Sequence, residues 1–341
     1  MSYNELVGVF PAVPVPMTAE RRIHEQAHAS YTRYMREQDV AGVAVWVHTG
    51  RGLYLTREER EYVCRAWREA LRPEQKVIAG VGVRLSQEDS PREFDFHKYL
   101  DAALQMAAEA KEWGADYLLV HPPAFLRQLA GEKAFHLIVE YHRQLGSIGL
   151  PLILFYLYEA AGGVTYQPEL LRELLRLPAV AGIKMATLNS VMTYQDVARM
   201  IEEEFATDNK VLLTGEDRFV GYSYLRGARG SLLGLAAGAT HLQTELWKAA
   251  REALAPGGNG EAALRFLDLT RRVDILAEAT FRAPMEAYIT RMLWVLHYQG
   301  VIPADAVHEV FAYPQSEEDL RWLRRAMQRA GVEMARGRGN G

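Results

Sequence analysis

Residues 150–158 read LPLILFYLY, and residues 180–185 read VAGIKM. Each is a short, continuous run of apolar and β-branched residues, the pattern of a strand covered on both faces. Between them lies Pro168–Leu177, an amphipathic, helix-like stretch. Strand, helix and strand in that order make a parallel unit. The alternation continues in both directions. Val7–Val15, Val40–Val47, Val77–Val83 and Tyr117–Val120 come before it, and Val211–Thr214 and Ser231–Leu235 after it. The segments between them, Glu25–Gln38, Arg57–Leu71, Asp101–Trp113, Lys133–Leu145 and Tyr194–Phe205, again read as helices. Eight such units point to an α/β fold, a closed (β/α)8 TIM barrel in preference to an open sheet.

The eighth unit ends near Gly238, which divides the chain into a barrel over residues 1–240 and a helical C-terminal extension over 241–341. Ala249–Asn259 reads as a turn-rich break, Ala262–Ala279 and Met285–His297 as amphipathic helices, and Ala335–Gly341 as a frayed tail. The 341 residues are 49% hydrophobic and 24% charged with a net charge of −4, ordinary globular proportions that leave no basic footprint for nucleic acid. No apolar run approaches the ~18 residues of a membrane span, and prolines 11, 14 and 16 stand where a signal peptide would need an apolar core. Cys64 is the single cysteine, so no intrachain disulfide forms. A cytoplasmic setting is the expectation.

A barrel locates its chemistry at the C-terminal ends of its strands. There the sequence offers His48-Thr49-Gly50-Arg51, His121-Pro122-Pro123, Tyr156-Leu157-Tyr158, Lys184 and Thr214-Gly215-Glu216-Asp217. Only seven of the 39 basic residues are lysine, and Lys184 alone lies within an apolar strand. Burial there favours the neutral amine, a nucleophile toward carbonyls, although a lysine snorkelling from a strand end fits the same pattern. Tyr156, on the neighbouring strand, is placed to shuttle protons, or else merely lines the barrel. Thr49-Gly50 supplies a hydroxyl and an open backbone amide for a carboxylate, or forms an ordinary turn.

As a set, Pro16-Met17, His48-Thr49-Gly50, Tyr156 with Gly163 and Pro168, and Gly182-Ile183-Lys184 resemble the dihydrodipicolinate synthase / N-acetylneuraminate lyase family of Schiff-base class I aldolases. Thr214–Asp217 resembles that family's Gly-Asp-Asp turn. Gly227–Gly234 resembles its eighth strand, which puts Leu232 among the expected substrate contacts. The resemblance implies a lyase that joins or splits a 2-oxo acid such as pyruvate and an aldehyde, without metal or organic cofactor. Lys184 would form the imine, Tyr156 relay protons, and Thr49 hold the carboxylate. It also implies a homotetramer or homodimer.

The departures bear on the second substrate. His48 replaces a serine or threonine, Arg51 a glutamate, Pro123-Ala124-Phe125 a tyrosine pair, and Ala161 a substrate-binding arginine. They argue against efficient dihydrodipicolinate synthesis. His48 and Arg51 are expected to contact a distal hydroxyl or acidic group of a sugar-acid-like substrate, or to serve as support for Thr49 and a surface ion pair. A dehydratase or hydratase-aldolase using the same imine is the nearest alternative. Two others come from different classes: a non-catalytic binding barrel, and a zinc hydrolase built on His24-Glu25-Gln26-Ala27-His28, which matches H-E-x-x-H.

Overall fold

The computed structural model describes residues 6–84, 95–127 and 131–335. Eight strands are present: β1 (Gly8–Pro11), β2 (Gly42–Val45), β3 (Lys76–Val81), β4 (Tyr117–Val120), β5 (Leu152–Leu157), β6 (Val180–Ala186), β7 (Val211–Thr214) and β8 (Gly230–Leu233). All pair in parallel in the order β1-β8-β7-β6-β5-β4-β3-β2. A parallel bridge between Ala12 and Ala44 closes β1 toward β2. The expected TIM barrel is the observed one.

The helices α1 (Glu25–Arg36), α2 (Arg57–Ala70), α3 (Phe96–Glu112), α4 (Glu132–Gly146), α5 (Pro168–Arg176), α6 (Val191–Glu204), α7 (Val220–Leu225) and α8 (Thr240–Leu254) follow the strands in turn. Helix α5 shows the logic: proline occupies its first turn, where no backbone donor is missed, and Leu170, Leu171, Leu174 and Leu175 bury one stripe. Helix α2 is set by a reciprocal cap between Thr56 and Glu59. Two cores result. One fills the barrel with Phe10, Ile153, Phe155, Leu213 and Leu232. The other, with Leu154, Tyr156, Ile183 and Met185, lies between the sheet and its helices. Alternation along the strands assigns each side chain to one or the other.

Helix α8 packs on β1 and α7, and the division expected at residue 240 falls just before it. Alanines 249 and 250 lie buried in α8, so the turn-rich break begins only at Ala255; Ala-Glu-Leu composition carries the helix further than the reading allowed. Beyond it come α9 (Gly260–Thr280), α10 (Tyr288–Tyr298) and α11 (Glu317–Ala330), which share a core with α7 and α8. Residues 336–341 of the expected tail lie outside the described residues; Ala335 donates to the Tyr298 carbonyl at 2.8 Å. Before α11 the chain returns to the barrel mouth, where Met17 and His308 form an antiparallel bridge. That return matters for the site.

Candidate active site

Lys184 sits within β6 and is 5% exposed. The register places Phe155 of β5 on one side of it and Leu213 of β7 on the other. Its Nζ lies 4.3 Å from the Phe155 ring centroid, with no hydrogen bond or ion pair among the described residues. Gly215 makes room for it, since a Cβ there would lie 2.4 Å from Lys184 Cε. Two buried carboxylates follow β7. Glu216 accepts from the Thr187 amide and hydroxyl at 2.7 and 2.8 Å and from the Leu188 amide at 2.7 Å. Asp217 accepts from the Leu235 amide at 2.7 Å and more weakly from Gly234 at 3.4 Å. Burial pulls the Lys184 ammonium below the ordinary lysine range, and the charges of Asp217 and Glu216 oppose only part of that pull. Burial likewise lifts Asp217 above the usual carboxylate range. An amine without a direct partner, in a pocket hostile to its charge, is poised to act as a nucleophile.

Across the mouth, the end of β2 turns sharply. Trp46 and Arg51 adopt positive φ angles of 60° and 50°, rare for side-chain-bearing residues and common where function fixes a backbone. Arg51 is directed inward and grips Glu309, with Nε and Nη2 each donating at 3.1 Å, while both side chains are buried. The surface ion pair expected of Arg51 is instead this buried fork, because the returning extension brings a carboxylate within reach. Arg51 Nη1 also donates to His48 Nε2 at 3.3 Å.

A guanidinium can only donate, so His48 Nε2 is an acceptor and Nδ1 bears the proton. Nδ1 then donates to the Tyr288 hydroxyl at 3.1 Å, and that hydroxyl donates to Thr49 Oγ1 at 2.8 Å. Burial, reinforced by the Arg51 charge, holds His48 well below the ordinary histidine range and so keeps it neutral. The direction of the chain is therefore fixed from end to end, leaving the Thr49 proton free for an outside acceptor. A carboxylate fits that donor.

Tyr156 lies elsewhere. It pairs in register with Met185, packs its ring 5.4 Å from that of Tyr166, and belongs to the core between sheet and helices. Lys184 and Tyr156 therefore occupy opposite faces of the sheet. Tyr158, just past β5, joins the barrel-filling core instead, with its ring 5.9 Å from His48 and its buried hydroxyl unpaired among the described residues. Leu232 is wholly buried in the barrel core, paired in register with Phe10. His24 caps α1 through Nδ1 and faces Asp305 at 3.6 Å, whereas His28 packs between Tyr62 and Trp67. Among the described residues no group of three metal-binding side chains converges there or anywhere else.

The model of the dihydrodipicolinate synthetase family matches residues 5–310. The chain belongs to that family. Its members are lyases, class I aldolases. An N-acetylneuraminate lyase of Enterobacter sp. (strain 638) is 24% identical over 335 residues, 97% of this chain and 99% of that protein. The crystal structure of dihydrodipicolinate synthase from Oceanobacillus iheyensis superposes with a TM-score of 0.78 at 18% identity, covering 97% of this chain and 98% of the other. The sialic acid aldolase of Ruminococcus gnavus gives 0.73 at 18%, covering 96% and 98%. At such identities these structures speak to the fold alone. No helix among the described residues is long and apolar enough to cross a membrane.

Within this family member, sequence reasoning missed Tyr288, Glu309 and the inward placement of Tyr158, and gave His121 a place at a strand end but no role. Tyr288 and Glu309 lie 239 and 258 positions from their partners in a segment with no motif. His121 directly follows β4, yet nothing in its neighbours marked it as facing a cavity.

Proposed function

We propose that the protein is a Schiff-base-forming aldolase or lyase acting on pyruvate or a related 2-oxo acid. The observation that carries this reading is Lys184: a buried amine, unpaired among the described residues, at the catalytic end of a barrel and held toward its neutral form. The Lys184 nitrogen attacks the ketone carbonyl, and loss of water leaves an imine. Protonated, that imine draws in the electron pair of the C3–C4 bond as the C4 hydroxyl passes its proton to a base, and the bond breaks to release an aldehyde and an enamine; addition runs the same path backwards. Thr49 donates to the 2-oxo acid carboxylate. Tyr158, protonated because burial raises its hydroxyl pKa, is the interior hydroxyl best disposed to move protons; the sequence had favoured Tyr156.

Efficient condensation with aspartate semialdehyde does not fit. Ala161 lines the cleft beside His48 and offers no charged donor, and Phe125 is buried against Tyr99 and Tyr141. Charge-assisted hydrogen bonds lost from a site are not replaced by apolar contact. Arg51, committed to Glu309, does not supply the missing cation.

The test is borohydride reduction in the presence of pyruvate. The adduct should map to the peptide holding Gly182-Ile183-Lys184, and both Lys184→Ala and Lys184→Arg should lose it, since a guanidinium stays protonated. An adduct that survives in Lys184→Ala ends the proposal. A kcat/KM above about 10⁴ M⁻¹s⁻¹ on aspartate semialdehyde, an ordinary enzymatic efficiency, would overturn the exclusion.

A further inference from the structure

We infer that a cleft of about 350 Å³ at the ends of β2 to β5 receives the aldehyde-derived half of the substrate as an uncharged, largely apolar fragment whose hydroxyl donates to His121 Nε2. This rests on the Schiff-base reading and specifies its second substrate.

The cleft adjoins the nucleophile. The His121 ring centroid is 5.4 Å from that of Phe155, and Lys184 Nζ lies over the same Phe155 ring. His121 and His48 both feel the Lys184 charge. His121 is 7% exposed, and its Nε2 is buried without a partner among the described residues. The Trp46 backbone carbonyl interacts with the ring and can only accept, which favours a proton on the nitrogen facing it and leaves Nε2, without a partner among the described residues, as the acceptor. Burial pushes the ring down to about 4, so the lone pair persists at neutral pH. A buried acceptor left open needs a donor, or its desolvation goes uncompensated.

The aldol class of substrate brings one. A 4-hydroxy-2-oxo acid carries its hydroxyl on the carbon that was the aldehyde carbonyl, one bond from the bond that breaks. The rest of the fragment meets Val47, Leu53, Val83, Pro122, Leu157 and Ala161. Of the cations at the cleft, Arg51 is neutralised by Glu309, and Arg84, which keeps its charge, is solvent-exposed with its guanidinium 4.3 Å from the Tyr54 ring centroid, away from the buried lining. Such a lining favours an aryl or alkyl fragment over a polyhydroxylated or carboxylated one.

The experiment compares retro-aldol cleavage of 4-hydroxy-4-phenyl-2-oxobutanoate, 2-keto-3-deoxygluconate and 4-hydroxy-2-oxoglutarate by the full chain. The phenyl substrate should lead in kcat/KM by at least tenfold. His121→Leu should cut that value ~10–100-fold, and His121→Asn, which keeps an acceptor, should recover part of it. Should His121→Leu fail to fold, Ala161→Arg provides the second reading, because it should shift preference toward the carboxylated substrate. Preference for either polar substrate by the unaltered protein overturns the inference, as does an unchanged kcat/KM on the phenyl substrate in a folded His121→Leu or an unchanged substrate ratio in Ala161→Arg. Borohydride trapping with pyruvate alone is read separately: an adduct at Lys184 beside the wrong preference sinks only the inference, whereas no adduct sinks the reading beneath it.

Discussion

The two sides of the barrel mouth treat polar groups in opposite ways. On the β2 side, His48, Thr49, Arg51, Tyr288 and Glu309 are buried or nearly so, and every one of them has a partner. On the β6–β7 side, the carboxylates of Glu216 and Asp217 are tied to backbone amides, while the amine between them and Phe155 has no hydrogen bond among the described residues. A satisfied network holds one geometry, because any rearrangement strands a buried donor or acceptor. A withheld partner does the reverse and keeps a group reactive. Orientation of the carboxylate and reactivity toward the ketone are thus assigned to different walls. Tyr158 stands between them with an unpaired hydroxyl, which groups it with the reactive wall.

That grouping breaks most visibly at Tyr158. Tyr158→Phe keeps the ring against His48 and removes only the hydroxyl, so folding should survive while turnover falls on the order of 10²–10⁴-fold, the range for a positioned acid–base group. Steady-state rates with an unchanged thermal transition are the expected pair of results. A silent Tyr158→Phe would return the role to another hydroxyl.

The satisfied wall should fail through stability. Glu309→Leu strands the Arg51 guanidinium in a buried site, a loss of about 3–5 kcal/mol for one partner of a buried pair. Denaturant titration measures it. Adding Arg51→Met should restore most of that loss, because replacing both charges removes the stranded ion. If the double variant is as unstable as the single one, the fork does more than neutralise itself.

On the reactive wall the carboxylates tune the amine. Asp217 raises the Lys184 pKa against the lowering effect of burial. Asp217→Asn should therefore lower it, so that more neutral amine exists at a given pH. The rate of borohydride-trapped adduct formation climbs with pH as Lys184 loses its proton. That climb should move toward acid by about one pH unit, the low end for removal of a nearby opposite charge. A shift toward alkali would show that Asp217 acts some other way. Smaller still is the effect of Tyr288→Phe, which cuts the wire at its last link. Thr49 then loses its fixed orientation, and KM for the 2-oxo acid should rise about tenfold with kcat nearly unchanged, in keeping with about 1.4 kcal/mol for one hydrogen bond.

The barrel was legible because its signals are local. Continuous apolar runs such as Val180–Met185 and stripes such as Leu170–Leu175 state their own environment. Lys184 was legible for the same reason, as a charge set inside such a run. Tyr288 and Glu309 were not, because a contact across more than two hundred positions leaves no trace in spacing. Arg51 was read as a substrate contact or a surface ion pair, since the chain gives no sign that a buried carboxylate returns to it. The strand-five tyrosines fell between these cases. Alternation puts Tyr156 and Tyr158 on one face of an ideal strand, but β5 ends at Leu157, and Tyr158, its amide still donating to the Ala186 carbonyl, joins the core that fills the barrel.

The smallest expected effect belongs to Tyr156, and it sets the two tyrosines directly against each other. Its ring is held by Tyr166, and its hydroxyl is hydrogen-bonded around Thr165 and Tyr166, on the helix side of the sheet. Tyr156→Phe keeps the ring packing and removes one hydrogen bond, a stability cost of about 1 kcal/mol. Nothing in that change reaches Lys184, whose own β5 neighbour is Phe155. The rate of cleavage should stay within about threefold of the unaltered enzyme, well below the loss expected of an acid–base group. Rates for Tyr156→Phe and Tyr158→Phe, measured side by side on one substrate, decide between the faces. A collapse in Tyr156→Phe with Tyr158→Phe unimpaired would mean that the β5 residue serving the imine lies on the other face of the sheet, and the assignment of reactivity to the barrel interior would fall with it.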